Sequence, residues 1–258
     1  MEPVEPRLGW GVLHLFYRVG SAAREDAGST LKSVVAAVEA LERDGYQVLV
    51  FAVLGHKADL GVMALGPDLA RLHAFQAELR ATALEPLDSF VSMTELSEYT
   101  MNEDDERRRL GREGVTGEAL DAALGAFSER MVKYREDRVH PKLPDKRTIC
   151  FYPMAKKREV GANWFALSFE DRKRLMAGHG KTGRTYAGRV LQLISGSAGL
   201  DDWEWGVTLL ADDPVDLKDI VYEMRFDAAS AEYALFGPFW FGLLAPASEV
   251  LVSVGLSS

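Results

Sequence analysis

Between Thr148 and Thr208 the chain gathers a phenol, an imidazole, a run of cations and three tryptophans. Tyr152 stands in Ile149-Cys-Phe-Tyr-Pro-Met-Ala-Lys-Lys-Arg158, an apolar strand that ends in cations. A phenol titrates at about pH 10 and is neutral at working pH, so it can lose an electron and a proton together. Side chains alternate across a strand, which puts Tyr152, Met154 and Lys156 on one face. Lys156 is thereby placed to hold a carboxylate beside the phenol, and the polarisable sulfur of Met154 can touch a ring. A plain structural reading stands beside this one. Tyrosine is common in strands, Pro153 ends the ladder, and Lys157 with Arg158 makes an ordinary solvated strand end.

Five histidines are present. His14 alternates with apolar neighbours and reads as a satisfied core residue. His56 falls in a turn, His73 lies on a helix without a partner at metal-ligand spacing, and His140 precedes Pro141. No HExxH and no Cys/His cluster occurs, which argues against zinc. His179 differs in context. Glycines at 178, 180 and 183 leave room for a flat, bulky object against the backbone, and Lys181, Arg184 and Arg189 stand near. A glycine-flanked histidine also suits a helix break or a surface turn. Its functional reading is a single neutral imidazole, which is what a proximal haem iron ligand requires. No GxSxG, P-loop or GxGxxG signature competes. A haem-type site is the functional reading of this set, beside the plain structural reading of each residue.

The elements that must position these groups follow from pattern. Trp10 to Val19 reads as a strand, Ser29 to Arg43 as an amphipathic helix, and Tyr46 to Leu54 and Leu60 to Leu65 as paired strands. Pro67 opens a helix running to Arg80, and Phe90 to Tyr99 is a fourth strand. That order, β-α-β-β-α-β, is ferredoxin-like. From Met101 to Lys146 comes an acidic run, then Arg107-Arg108-Arg109, then a helix from Glu118 to Val132. Acids beside the basic triplet make a solvated, self-neutralising linker the reading preferred to a nucleic-acid site. The order then recurs, with a strand from Thr148 to Lys156 and a largely helical stretch from Ser168 to Ser195. A strand from Trp203 to Ala211, a helix from Pro214 to Arg225 and an apolar segment from Glu232 onward follow. Leu60-Gly-Val-Met-Ala-Leu-Gly-Pro-Asp-Leu against Trp205-Gly-Val-Thr-Leu-Leu-Ala-Asp-Asp-Pro supports an internal repeat. The expected division is 1–100, a first ferredoxin-like half; 101–146, a charged linker with a helix; and 147–258, a second half carrying the site.

At 258 residues, with 47% hydrophobic and 27% charged content, the chain is an ordinary α+β globule. A net charge of −9 disfavours nucleic acid and broad binding to anionic membranes. Cys150 is the single cysteine, read as a buried and inert thiol. Met1-Glu-Pro-Val-Glu-Pro lacks the features of a signal peptide, and the apolar run from Ala234 to Ala247 is short for a membrane span. A cytoplasmic location is expected.

At Tyr152-Pro-Met-Ala-Lys-Lys-Arg158, Asn163-Trp164, His179-Gly-x-x-Gly-Arg184 and Asp202-x-Glu-Trp-Gly-Val-Thr208 the sequence resembles the coproheme decarboxylases of the chlorite dismutase-like superfamily. The resemblance extends from Gly11-Val-Leu-His-Leu-Phe-Tyr17 to Met224-Arg-Phe-Asp-x-x-Ser230. It implies a duplicated ferredoxin-like (dimeric α+β barrel) subunit, a homopentamer, and transient contact with coproporphyrin ferrochelatase. It implies iron coproporphyrin III as substrate and hydrogen peroxide as oxidant. Two propionates are decarboxylated to vinyl groups, giving haem b. By the same resemblance His179 is the iron ligand, Tyr152 the radical-forming tyrosine, Lys156 the lysine beside the reacting propionate, and Gln192 the distal residue. Arg138 and Ser230 match propionate-holding positions, and Met154, Trp164 and Trp205 match the pocket lining. Chlorite-splitting relatives carry a distal arginine, whereas glutamine is neutral, which disfavours chlorite dismutation. A haem b-dependent peroxidase and a haem carrier are the competing classes; Tyr152 with Lys156 separates the decarboxylase from both.

Overall fold

The structure, a computed structural model, describes residues 1–257. Strand β1 (Gly11–Arg18) leads through helices α1 (Ser21–Glu25) and α2 (Ala27–Arg43) to the pair β2 (Gln47–Val53) and β3 (Leu60–Gly66). Helix α3 (Leu69–Arg80) and strand β4 (Glu85–Thr94) complete this half. β1 is buried at every residue but Arg18, as its run of aromatic and branched side chains requires of a strand covered on both faces. α2 turns Val34, Ala37, Val38 and Leu41 inward, the spacing of one helical face. Pro67 does not open α3. Asp68 is the N-cap, its carboxylate accepting from Ala70 N, and the proline lies just outside. β4 runs from Glu85 to Thr94 and not from Phe90 to Tyr99, because its first five residues are exposed and carry no apolar alternation.

Two helices follow, α4 (Glu103–Arg112) and α5 (Glu118–Val139). The first was not expected, and the second runs on past Val132. α4 is the charged run itself. Asn102 and Asp105 form a capping box. Acids fill the first turn and arginines the last, as the helix dipole favours. Arg107 pairs with Glu103, Arg108 with Asp105, and Arg109 with Glu106 and Glu113. The expected self-neutralisation holds, and the helical spacing is what arranges it.

The second half comprises β5 (Thr148–Lys156), the short hairpin β6 (Arg158–Glu159) and β7 (Ala162–Asn163), a 3-10 turn at Trp164–Ala166, and helix α6 (Phe169–Arg184). Strands β8 (Val190–Gly196) and β9 (Trp205–Ala211) precede helices α7 (Pro214–Met224) and α8 (Ala228–Ala231). Strands β10 (Ala234–Phe236) and β11 (Trp240–Leu244) and helix α9 (Ala247–Ser253) end the chain as described. The stretch expected to be helical to Ser195 is therefore two elements. α6 stops at Arg184, Gly188 turns the chain at φ 83°, and Gln192 stands on strand β8.

Antiparallel pairing runs β5-β11-β2-β3-β1-β4-β8-β9, and β9 pairs back onto β5. The result is a closed eight-stranded barrel, with β10 paired to the far end of β5. Each half has the same internal order, second-third-first-fourth: β2-β3-β1-β4 and β8-β9-β5-β11. The fourth strand of each half meets the second of the other. The fold is thus the duplicated ferredoxin-like α+β barrel, and closure removes the open edges that a single half would expose. The repeated segments are β3 into α3 and β9 into α7, with Asp68 and Asp213 as matching N-caps.

Phe16, Phe51, Met63, Phe90, Phe151 and Trp240 fill the barrel interior. His14 is wholly buried there, stacked on Phe151 at 3.9 Å. Its Nε2 meets Thr208 Oγ1 at 2.9 Å, but Nδ1 has no partner, so this core histidine is only half satisfied. Helices α2, α3 and α9 cover the first half, and α6 and α7 cover the second. Cys150 is buried, and burial pushes its thiol up to about 12. Among the described residues no helix is long and apolar enough to cross a membrane.

Candidate active site

Register across β5, β9 and β8 sets one wall. Cys150 lies beside Leu209 and Gln192, Tyr152 beside Val207 and Ile194, and Met154 beside Trp205 and Gly196. Residues level in neighbouring strands point the same way. Tyr152, Met154, Trp205 and Gln192 therefore share the face that α6 and α7 cover. The Tyr152 ring stacks on Phe239 at 4.4 Å and leans on Phe236 at 5.8 Å. Burial raises its pKa well above the usual phenol range, so the hydroxyl keeps its proton.

Lys156 continues that face and is buried. Its Nζ donates to the Ala229 carbonyl at 2.7 Å and lies 4.3 Å from the centre of the Trp164 ring. Burial lowers its pKa to about 8, against the pull of Asp227 and Glu204. A buried ammonium held by a carbonyl and a ring, with no ion pair among the described residues, is an incomplete set of partners. Glu204 serves the neighbouring backbone instead. It accepts from Lys156 N at 2.8 Å and pairs with Arg158. Trp164 is itself buried and packs on Tyr233 at 5.4 Å.

His179 projects from α6, whose N-cap is Ser168. Its Nδ1 lies 2.9 Å from Asp227 Oδ2. A carboxylate can only accept, so Nδ1 carries a proton and donates, which leaves Nε2 as the ring nitrogen open to another partner. Asp227 also caps α8, accepting from Ser230 N at 3.0 Å and Ser230 Oγ at 3.1 Å. Burial by itself would raise the Asp227 pKa; the bonds from His179 and Ser230 outweigh it and hold the group below its ordinary value. Ser230, expected to hold a propionate, is buried against this pair, its Oγ 3.4 Å from His179 Nδ1. One short helix thus anchors two groups, His179 through Asp227 and Ser230, and Lys156 through Ala229. Asp227 and Ala229 were not singled out from the sequence, although Asp227-Ala-Ala-Ser230 has the form of a helix cap.

Gln192 reaches from β8 to α6, its Nε2 donating to the Gly183 carbonyl at 3.0 Å. Gly183 follows His179 by one helical turn, so both lie on the same side of the helix. Of the flanking glycines this one is the most closely approached. A Cβ at Gly183 would stand 3.2 Å from Gln192 Nε2, while Gly178 meets nothing and Gly180 only the end of Arg184. Of the sixteen residues of α6, Gly183 alone is buried. The side of α6 toward the sheet is loosely packed. Arg138, at the end of α5, is half-buried. Its Nε is buried without a partner, and it forms no ion pair among the described residues. Trp205 Nε1 donates to Glu95 Oε1 at 3.1 Å. A separate cavity of about 460 Å³, lined by Arg108, Arg109, Arg112 and Lys173 beside Met101 and Asp105, lies between α4 and α6. Asp105 holds two of its cations, accepting from Lys173 through both oxygens at 2.8 Å and from Arg108 at 2.7 Å.

The family model described as chlorite dismutase matches residues 24–245. A coproheme decarboxylase of Thermus thermophilus is 40% identical over 254 residues, covering 93% of this chain and 92% of its own length. A protein of Natronomonas pharaonis designated haem-binding is 38% identical over 262 residues, covering 96% of this chain. The chain spans only 41% of the length of that protein. Among solved structures, a haem-binding protein from Thermus thermophilus superposes with a TM-score of 0.76 at 37% identity, covering 98% of this chain and 97% of that one. A variant chlorite dismutase from Candidatus Nitrospira defluvii superposes with a TM-score of 0.70 at 17% identity over 97% of both chains, a likeness of fold.

Proposed function

The chain belongs to the chlorite dismutase family, and from that premise we propose that it is a coproheme decarboxylase. In this reading iron coproporphyrin III binds as substrate, two propionates become vinyl groups at the expense of hydrogen peroxide, and haem b is the product. The observation that carries it is that α8 and its cap residue Asp227 hold both Lys156, through the Ala229 carbonyl, and His179, through the Asp227 carboxylate, with Tyr152 on the same strand face as Lys156.

The residues present fit an iron porphyrin. His179 would hold the iron through Nε2, its proton fixed on Nδ1 by Asp227. Lys156 and Arg138, both short of partners, would take propionates. Met154, Trp164, Trp205 and Gln192 would line the ring. Loose packing under α6 leaves Leu175 and Met176 half-exposed, an apolar surface that a flat macrocycle would cover. Ser230 would serve a propionate only by leaving Asp227.

Bound to the protein, the ferric porphyrin with peroxide supplies the oxidising power. Tyr152 gives up an electron and a proton together, since its phenol stays protonated. The resulting radical takes a hydrogen atom from the propionate carbon attached to the ring. Loss of a second electron and of carbon dioxide leaves the vinyl group. For each propionate, one hydrogen peroxide and one proton give one carbon dioxide and two waters. Lys156 orients the carboxylate, then must relax its grip as carbon dioxide leaves. A lysine whose pKa is already lowered to about 8 holds that charge less firmly than an exposed one. Gln192 brings no positive charge to the distal side, which suits a neutral oxidant better than an anionic one.

A homopentamer, a transient ferrochelatase contact and a cytoplasmic location belong to the same proposal. So does the division at 1–100, 101–146 and 147–258. The test is to load the protein with ferric coproporphyrin III, titrate peroxide and follow porphyrin mass. Stepwise loss of two propionates as carbon dioxide supports the proposal, and bleaching at constant mass refutes it. Tyr152→Phe should bind the porphyrin but leave its mass unchanged; full turnover in that variant would remove the radical role.

A further inference from the structure

Glu95 places a carboxyl group on a wall that the proposed function otherwise lines with cations. The chain leaves β4 at Thr94, with Met93 opposite Gly196 of β8. The carboxyl group then folds back over Gly196, where a Cβ would stand 2.3 Å from Glu95 Oε2. Glu95 Oε1 accepts from Trp205 Nε1 at 3.1 Å, and Trp205 and Gly196 share a rung with Met154. Glu95 therefore belongs to the site face. From α5, Arg138 presents a guanidinium whose Nε is buried and unpartnered. Thr94 Oγ1 donates to the Val139 carbonyl at 2.7 Å, which brings the residues flanking that contact, Glu95 and Arg138, near each other, yet the two form no ion pair among the described residues. A guanidinium left without an ion pair beside a carboxyl group can take a second anion.

We propose that Glu95 is a further positioning residue for the porphyrin: it orients Trp205 and shares a proton with the propionate that Arg138 binds. The inference rests on the proposed function, which supplies the propionate. Two carboxylates at hydrogen-bond distance cannot both remain ionised. Solvent supplies one proton, Glu95 donates it in a hydrogen bond to one propionate oxygen, and Arg138 donates to the other. The surroundings favour this. Burial raises the Glu95 pKa, and Glu98 on the same segment adds to it; the Trp205 N–H and Arg138 oppose. Porphyrin binding consequently takes up a proton.

The experiment is calorimetric titration of ferric coproporphyrin III into the full chain, in buffers of different ionisation enthalpy across neutral pH. The wild type should take up close to one proton per porphyrin through Glu95, its affinity falling about tenfold per pH unit above the pKa of the shared proton. Glu95→Gln donates a similar hydrogen bond without needing a proton. It should bind with close to one proton less uptake than the wild type and a correspondingly shallower pH profile, the remainder coming from Lys156, whose pKa of about 8 a bound propionate would raise. Arg138→Gln should bind several-fold more weakly yet keep the uptake. Equal uptake in the wild type and Glu95→Gln overturns the inference while leaving the decarboxylase reading intact. Failure of the wild type to bind ferric coproporphyrin III overturns that reading, and this inference with it.

Discussion

Asp227→Asn isolates the carboxylate that orients His179. Asparagine caps a helix about as well as aspartate, so α8 and the Lys156–Ala229 bond should survive. What changes is the partner of His179 Nδ1. In the wild type the two carboxylate oxygens accept separately, Oδ2 from His179 at 2.9 Å and Oδ1 from Ser230 N at 3.0 Å. An amide has one accepting oxygen. If it serves Ser230 N, the amide nitrogen faces Nδ1 and drives the proton to Nε2, the atom that would ligate iron. If it serves His179, the amide nitrogen faces the Ser230 N–H and weakens the cap. Either way about one charge-assisted hydrogen bond is lost, ~1.5–3 kcal/mol. That agrees with the 10- to 100-fold loss of metal affinity usual when such an outer partner is removed. Soret titration with ferric coproporphyrin III should show an affinity loss in that range, and resonance Raman of the ferrous complex a lower iron–histidine stretching frequency. Unchanged affinity together with an unchanged iron–histidine signature would refute the assignment of His179 and Asp227.

Lys156→Met should trade function for stability. The Lys156 pKa drops from 10.5 to about 8, equivalent to ~3 kcal/mol of burial cost at about 1.4 kcal/mol per unit. Between those values the unfolded chain holds a proton that the folded chain lacks, so wild-type stability rises with pH through that window. The variant should be ~2–3 kcal/mol more stable to urea at neutral pH, the gap narrowing toward about pH 10, and should lose decarboxylation. His14 works at the acid end. Burial lowers its pKa from 6.5 to about 3, so on acidification the unfolded chain gains a proton that the folded one refuses. Stability should fall as pH drops from 6.5 toward 3, and His14→Gln should flatten that slope in pH-resolved urea denaturation.

The strands that build the barrel were legible because burial on both faces writes long apolar runs, as in β1 and β5. The alternation of Tyr152, Met154 and Lys156 follows from strand geometry alone. β8 was missed because Leu191, Gln192 and Ile194 are only partly buried, and the strand directly follows a helix without a strong apolar period. α4 was missed for the opposite reason. It buries only Glu106 and Leu110 and is otherwise held by caps and by i,i+3 and i,i+4 ion pairs, which hydropathy does not register. Of the proposed site, the candidate residue types were readable, and their supports were not. Asp227, Ala229 and Glu95 look like ordinary helix-cap and loop residues in one dimension.

The sequence by itself determined the duplicated α+β order, the strand face bearing Tyr152 and Lys156, and the candidate groups from which the site is proposed. Those depend on local periodicity and on side-chain chemistry, which a chain carries residue by residue. Only the tertiary structure decided that Lys156 and His179 share one anchor, that Ser230 faces Asp227, and that Arg138 is left unpaired opposite Glu95. Such pairings join segments tens of residues apart in the chain. They exist because closing the barrel brings β5, α6 and α8 together, and no local preference encodes which carboxylate an imidazole will find.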